Sequence, residues 1–456
     1  GETTVALIEG LKGSVQLSYD DQERKEKLQL AIVRKPEQKT TDKKRIDVTA
    51  VGEFEGRAVE LRGHVLPPAG LLASGKPFGM DFSYQAFGIT GEVTGTVAAP
   101  YNLYGLDLSV QAKADNLSEL RKTFGEGVPD PGKIELSMRL KPDGSKLRVP
   151  ALRLGLGEGH IDGWFTFDDA GPIPMLETEL AFVDLDLDEL KARLGQTRKT
   201  TKPGAAKSQA DKTQADRVFS DDPLPFEALS RANLSARLRA DNIKYNNRRL
   251  QYAEVSINIV NGKFTATLDK LSAVEGELIS NFVVDTSNKD APAITLKLKA
   301  PKVELGELLT IEDGSSAVEG PLAVDIAVEG KGHSVAQIMA SLTGNAKLLM
   351  EQGSADARAL DLFVGGLGAM FGTMFTPGSS KTRIECAICD IELEQGMLKS
   401  RLAMLDTQYS TVIINGRVDL KQERLELLVS PQAKGVNLSI AFPVEVKGTM
   451  ANPELK

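Results

Sequence analysis

The sequence is poor in the residues that most often carry catalysis or metal binding. Its 456 residues include two cysteines, three histidines and one tryptophan, and aromatic residues make up only 5% of the chain. The two cysteines form a C-x2-C pair. Such a pair needs two further ligands to hold zinc, and the chain has no other cysteine. No Ser/His/Asp frame, phosphate loop or HExxH motif occurs. We therefore expect a protein that is not an enzyme and that has no cofactor or metal.

The net charge and the length of the apolar runs exclude two further classes of protein. The chain carries 55 Lys and Arg against 63 Asp and Glu, a net charge of -8, so it lacks the basic field of a nucleic-acid-binding protein. No run reaches the roughly eighteen apolar residues of a membrane-spanning helix, and no signal peptide precedes Gly1. We expect a soluble chain, or one whose leader or anchor lies upstream, without nucleic-acid partners.

Alternation of apolar and polar residues is what the sequence has in abundance. The clearest example lies near the end of the chain, at Val436, Leu438, Ile440, Phe442, Val444 and Val446. A period of two over this length indicates a strand with one apolar face. The pattern recurs along almost the whole chain, with short polar turns between the runs. It predicts a mainly β fold: one long, mainly antiparallel sheet with a few short helices.

One short motif recurs directly after predicted strands. It reads Leu-x-Glu-Leu at residues 117–120, 187–190 and 305–308. Each copy predicts one short helix, and the unequal spacing of the copies predicts insertions at loops. A repeated strand unit that does not close its own core must stack on its neighbours.

A compositional break divides the chain. Residues 195–217 lack apolar periodicity and are rich in Lys, Thr, Gln and Ala, which is typical of disorder. We predict a β-rich groove segment over 1–194, a basic disordered linker over 195–222 and a second β-rich segment over 223–456. The basic residues from Lys191 to Lys212 also suit anionic headgroups, but a solvated linker is the favoured interpretation.

A second unusual segment, Leu362 to Phe375, is uncharged and groups its apolar residues at near-helical spacing. It predicts a short apolar helical region near 357–376. The segment is too short to span a bilayer, so we favour a plug or lid packed on the sheet over a helix that contacts the membrane surface.

The two cysteines, Cys386 and Cys389, lie in a predicted strand. Residues three apart on a strand lie about 10 Å apart on opposite faces, which is beyond disulfide reach. We therefore expect two thiols, one of them facing inward, and a disulfide only if the backbone turns there.

Several motifs in a fixed order carry a resemblance to a known family. They are Phe219-Ser-Asp-Asp-Pro-Leu-Pro225, the strand-plus-helix units, the apolar segment 360–377, Ile384-Glu-Cys-Ala-Ile-Cys-Asp390, Glu394-Gln-Gly396, Leu405-Asp-Thr407, Asn415-Gly-Arg-Val-Asp-Leu420 and Pro443-Val-Glu-Val-Lys-Gly448 with Asn452-Pro453. Together they resemble the AsmA family, by motif over 170–456 and by strand pattern before it. The resemblance implies an N-terminal inner-membrane helix, which the residues shown do not include, followed by a periplasmic β-rich body. We expect this body to be an elongated, strongly curved antiparallel sheet, groove-like or taco-like, with a hydrophobic inner face. The resemblance also implies a part in phospholipid traffic or outer-membrane homeostasis of a Gram-negative envelope, with envelope proteins as partners.

An aliphatic groove suits phospholipid acyl chains. Moving a sixteen-carbon chain into water costs roughly 13 kcal/mol at about 0.8 kcal/mol per CH₂, and a carrier must offset most of that. We therefore expect a periplasmic lipid-binding conduit or carrier for phospholipid transport between the inner and outer membranes. The alternatives are a scaffold or assembly factor for outer-membrane components, and an enzyme built on the cysteine pair.

Twelve apolar strand positions are candidates for lining the groove. The alternative for each is an ordinary sandwich core. The positions are Leu108, Val110, Ile257, Ile259, Leu296, Leu298, Val324, Ile326, Val412, Ile414, Ile440 and Phe442.

Overall fold

Antiparallel β-strands make up most of the protein. The computed structural model describes residues 14–21, 26–34, 46–54, 57–66, 77–98, 105–124, 131–142, 146–196, 217–309, 316, 318–356, 381–434 and 442–455. The chain divides into two compact units, Gly1–Lys202 (unit 1) and Pro203–Lys456 (unit 2). Four short α-helices and one 3-10 helix accompany the strands in the described ranges. The predicted mainly β, antiparallel fold is confirmed.

Unit 1 is a meander in which each described strand pairs with the next along the chain. Two helices follow strands, α1 (Ser118–Phe124) and α2 (Leu187–Gln196). The strands are β1 Ser14–Asp21, β2 Glu26–Arg34, β3 Ile46–Phe54, β4 Arg57–Leu66, β5 Phe78–Ala86, β6 Ile89–Val97, β7 Asp107–Ala114, β8 Ile134–Leu140, β9 Lys146–Leu156, β10 Gly159–Asp168 and β11 Met175–Val183.

Unit 2 is a second meander, and it begins with the 3-10 helix Phe226–Ser230. Its strands are β12 Asn233–Tyr245, β13 Arg248–Val260, β14 Lys263–Leu271, β15 Val274–Glu275, β16 Ile279–Asp285, β17 Ala293–Glu304, β18 Val318–Glu319, β19 Pro321–Lys331, β20 Thr343–Met350, β21 Gly353–Asp356, β22 Lys381–Glu394, β23 Met397–Thr407, β24 Ser410–Asp419, β25 Arg424–Ala433, β26 Val444–Thr449 and β27 Pro453–Leu455. The short strands β15, β18 and β21 form side ladders. Helix α3 is Leu305–Leu309 and α4 is Val335–Ser341.

Two-residue hairpin turns set the strand register. Positive φ angles occur at both central residues of Phe87–Gly88, Asn246–Asn247, Asn261–Gly262 and Gln395–Gly396. This is the pattern of a type I′ turn, whose twist matches that of the flanking strands. The register fixed in this way decides which side chains share a face.

The three Leu-x-Glu-Leu motifs each mark a short helix, as predicted. They lie at the start of α1, α2 and α3. In α2 the Asp186 carboxylate accepts a hydrogen bond from Glu189 N at 2.8 Å, and Arg193 bonds back to Glu189 one turn later. These local bonds stabilise a helix that is too short to be stable by propensity alone.

Unit 2 contains a filled hydrophobic core. Its buried members are Val318, Met350, Ala355, Ile384, Val412, Val429 and Val446. Leu305 of α3 and Leu322 of β19 pack against them. Val446 is 0% exposed and Val429 is 2% exposed, so polypeptide alone fills this part of the sheet.

The structure differs from the sequence prediction near the end of the chain. Strand β26 begins at Val444, so Phe442 and Pro443 lie before it, and Phe442 is 69% exposed. Pro443 has no N–H to donate to a ladder, which disfavours a strand through it. Ile440 and the predicted helical region near 357–376 lie outside the described residues.

The predicted linker also differs in part. Helix α2 extends through Gln196, and residues 217–222 are bonded to other residues of unit 2, as described below. The rest of the predicted linker, 197–216, lies outside the described residues.

Candidate functional site

One continuous apolar surface crosses the strands of unit 2, and we call it the apolar face. Residues directly opposite on paired strands point to the same side of a sheet. One row runs Ile257, Ala266, Phe282, Leu296 and Val328, from β13 to β19. A second row joins Leu298 to Ile326 and Ala346, and a third joins Val324 to Leu348, Cys389, Ala403 and Ile414. The register therefore brings the candidate positions of unit 2 up to Ile414 onto one face.

Most of this face is half-buried rather than buried. The half-buried candidates are Ile257, Ile259, Leu296, Leu298, Val324, Ile326 and Ile414. Val412 is different: it is 1% exposed and belongs to the filled core. Side chains between two packed sheets would be fully buried. The apolar face therefore has an uncovered part, centred on β13 to β20, and a part filled by protein around Val412.

The opposite surface of the same strands is charged. Lys299 of β17 lies 3.9 Å from Asp325 of β19, and Lys347 of β20 lies 3.6 Å from Asp390 of β22. Exposed ion pairs of this kind add little stability. They do show which side of the sheet faces solvent. Successive residues along each strand point alternately to this side and to the apolar face.

Leu108 and Val110 lie on β7 of unit 1. Val110 pairs with Val93 and Met138, and Leu108 pairs with Leu140. Both candidates are half-buried. They share an apolar surface within unit 1.

Open depressions in unit 1 have a mixed lining that includes charged side chains. Two in unit 1, with volumes of about 420 and 480 Å³, are lined by residues that include Glu60, Gln111 and Arg139. Such a lining suits water and ions better than hydrocarbon.

Neither cysteine has the setting of a reactive site. Cys386 and Cys389 are free thiols in β22. Cys389 pairs with Leu348 and Ala403 on the apolar face, whereas Cys386 pairs with Asp406. Burial is the main cause that raises the pKa of both thiols. Within the described ranges, no group of three or more His, Cys, Asp or Glu residues is placed to hold a metal ion.

A segment that falls largely within the predicted linker is held by hydrogen bonds at two points of unit 2. Residues 217–226, here called the strap, are bonded to the turn between β24 and β25 through Glu423. They are also bonded to the start of α4 through Ser220 and Leu224. The strap contains the Phe219-to-Pro225 motif. The motif could be recognised in the sequence, but its position in the fold could not be predicted from it.

Comparison with known proteins finds a matching family model and a relative. The AsmA family model matches residues 135–403. The chain belongs to the AsmA family. It is also 23% identical over 419 residues to the AsmA family protein YhjG of Escherichia coli (strain K12), and the aligned region covers 89% of this chain. The chain spans 60% of the length of that relative. No solved structure matches the present chain.

Family membership supports an envelope-associated function. In the part of the chain that the structure describes, we find no helix with the length and apolar character needed to cross a membrane.

Proposed function

We propose that this protein is a periplasmic lipid-binding conduit or carrier that takes part in phospholipid transport between the inner and outer membranes. The observation that supports this most is the half-buried apolar face of unit 2. Its side chains are mainly aliphatic, with Phe282 among them, it is continuous over several strands, and the described residues do not fully cover it. We expect no catalysis, because the described thiols and carboxylates form no reactive constellation.

The apolar face is large enough for an acyl chain. Neighbouring strands lie about 4.8 Å apart, so the row from Ile257 on β13 to Val328 on β19 spans roughly 19 Å. One leaflet of a bilayer core is about 15 Å thick. A chain lying across the strands would contact Leu, Ile and Val and would need no specific hydrogen bond. The headgroup would remain in water, so the site would tolerate different phospholipids.

The filled core favours a second candidate function for part of unit 2. Val412, Val429 and Val446 are each at most 2% exposed, which is what a scaffold for outer-membrane components would show everywhere. We therefore restrict the proposed acyl-chain contact in unit 2 to the half-buried positions, and we assign Val412 to the core.

Lipid extraction from the purified protein tests the proposal. Organic extraction followed by mass spectrometry is expected to recover phospholipid in at least equimolar amount. Phospholipid transfer from donor to acceptor vesicles should be faster with the protein than without it. A lipid-free preparation that also fails to take up phospholipid from vesicles would favour the scaffold.

A further inference from the structure

A buried carboxylate with no part in acyl-chain contact lies at the ends of the strands of unit 2. The Glu423 side chain is 4% exposed. It accepts hydrogen bonds from Arg217 Nε at 3.0 Å, Val218 N at 2.6 Å and Phe219 N at 3.4 Å. Its backbone oxygen accepts Met450 N at 2.7 Å. One residue thus joins the strap to the turns that follow β24 and β26.

From Glu423 the strap continues to α4. The Ser220 carbonyl accepts a hydrogen bond from Ala336 N at 3.0 Å, and Leu224 N donates to the His333 carbonyl at 2.7 Å. Ala336 lies in the first turn of α4, where backbone N–H groups have no partner within the helix. The prolines on either side of Leu224 favour an extended backbone. The strap therefore supplies the acceptor for one N–H group in the first turn of α4.

Helix α4 in turn covers one border of the apolar face. A Cβ atom on Gly330 of β19 would lie 3.0 Å from Ile338 Cγ2 and 3.3 Å from Leu342 Cδ1. Gly330 pairs with Ile294, and both lie two residues along their strands from the row through Val328. The helix therefore packs against the edge of the half-buried region.

We propose that the strap is a latch: Glu423 holds the strap, the strap holds α4, and α4 closes the border of the apolar face through which an acyl chain enters. This inference rests on the proposed function. Release of the strap removes the hydrogen bonds at the start of α4, while Ser341 at its end stays bonded to Lys331 of β19 at 2.7 and 2.8 Å. The start of the helix then swings about that end and opens the face from the side.

The contacts suit a reversible latch. They are hydrogen bonds and one ion pair, and the Val218 side chain at their centre is 51% exposed. Arg217 also pairs with Asp221 within the strap, so its guanidinium keeps a partner when it leaves Glu423. The Glu423 carboxylate, by contrast, loses all three of its donors from the strap, which favours the closed state.

Two variants that weaken the latch from opposite sides test it in the full chain. Glu423→Ala removes the acceptor, whereas Arg217→Ala removes an exposed donor and leaves the buried turn intact. Glu426→Ala is the matched control, because Glu426 lies in β25, pairs only at the surface with Arg417 and does not touch the strap. Hydrogen exchange is measured by mass spectrometry on peptides that cover 218–226 and 333–342. Uptake of labelled phospholipid from vesicles is measured in parallel.

We expect both latch variants to lose about 10- to 100-fold of exchange protection in the two peptides, the usual effect of losing a charge-assisted hydrogen bond. Uptake should accelerate with the population of the open state. Should Glu423→Ala fail to fold, Arg217→Ala alone decides. Unchanged protection in Arg217→Ala overturns the latch. If exchange protection is lost but the rate of phospholipid uptake is unchanged, the proposal that acyl chains enter at α4 is overturned. If the wild type takes up no lipid, the proposed function and the entry role fail together, and the exchange data still decide whether Glu423 holds the strap.

Discussion

A charge placed on the uncovered part of the apolar face should abolish lipid binding and leave the sheet folded. Leu296 lies in the middle of the row between Phe282 and Val328 and is half-buried. In Leu296→Glu the longer side chain keeps its carboxylate in water on the uncovered side. Loss of that partial burial then costs about 1–2 kcal/mol, a minor part of a typical stability of about 5–15 kcal/mol.

The same charge at Val412 should have the opposite effect. Val412 is 1% exposed among Met350, Val429 and other core residues. An unpaired buried charge costs about 3–5 kcal/mol, in addition to the lost valine packing. Val412→Glu is therefore expected to unfold unit 2 or to lower its urea midpoint sharply.

Lipid binding separates the two positions further. A carboxylate at residue 296 must stay hydrated, so an acyl chain would withdraw about four CH₂ groups from that part of the face. This costs roughly 3 kcal/mol, or about a 100-fold loss of affinity. Lys297→Glu is the control, because Lys297 lies on the opposite surface of the same strand. The assays are urea unfolding followed by circular dichroism, and extraction of bound phospholipid. If Leu296→Glu unfolds as Val412→Glu does, the half-buried face is an ordinary core and the reasoning fails.

Three further predictions concern single residues. Because burial raises the pKa of both thiols, Cys386 and Cys389 should react slowly with a disulfide reagent at neutral pH, Cys389 more slowly; a fast reaction at Cys389 would contradict the burial of its thiol. Hydrogen bonds from Ser287, with Lys263 nearby, lower the pKa of Asp285 to about 2, so its stabilising effect is present above its unfolded pKa and is lost as pH falls from about 4 to 2. The urea midpoint of Asp285→Asn should accordingly lie below that of the wild type near neutral pH and converge with it in acid, and a constant difference would refute this. Gly344 has φ 140°, and an added Cβ would lie 2.0 Å from the Ala327 carbonyl oxygen; Gly344→Ala should lower the free energy of unfolding by about 1–3 kcal/mol in urea titrations, and an unchanged midpoint would count against the register of β19 and β20.

The strands were predictable because their signal is local. Alternation marks each strand within eight or so residues, and turn residues such as Gln395–Gly396 mark the hairpins between them. The three short helices were also predictable, since the same tetrapeptide follows a strand each time. Register follows from the turns, which is why the candidate positions in unit 2 share a face.

Burial was not predictable, because it depends on what lies over a face. Val412 and Ile414 have the same place in the alternation of β24, yet Val412 lies in the core that Leu305 and Val318 complete, and Ile414 is only half-buried. The sequence pattern does not contain this difference. Only the position of α3 and β18 in the folded chain creates it.

The latch was not predictable for the same reason. Arg217 and Glu423 lie 206 residues apart, and Glu423 looks in the sequence like any surface residue of a polar turn. Its burial arises because the strap passes over it.

Site-specific photo-crosslinking compares the two faces of one strand most directly. A photo-reactive amino acid replaces Ile326 in one variant and Asp325 in another; these neighbours on β19 point to opposite surfaces of the sheet. With radiolabelled phospholipid present, we expect crosslinking from residue 326 and none above background from residue 325. Equal labelling from both positions, or none from residue 326 in a folded protein, would contradict the proposal that the apolar face of unit 2 binds acyl chains.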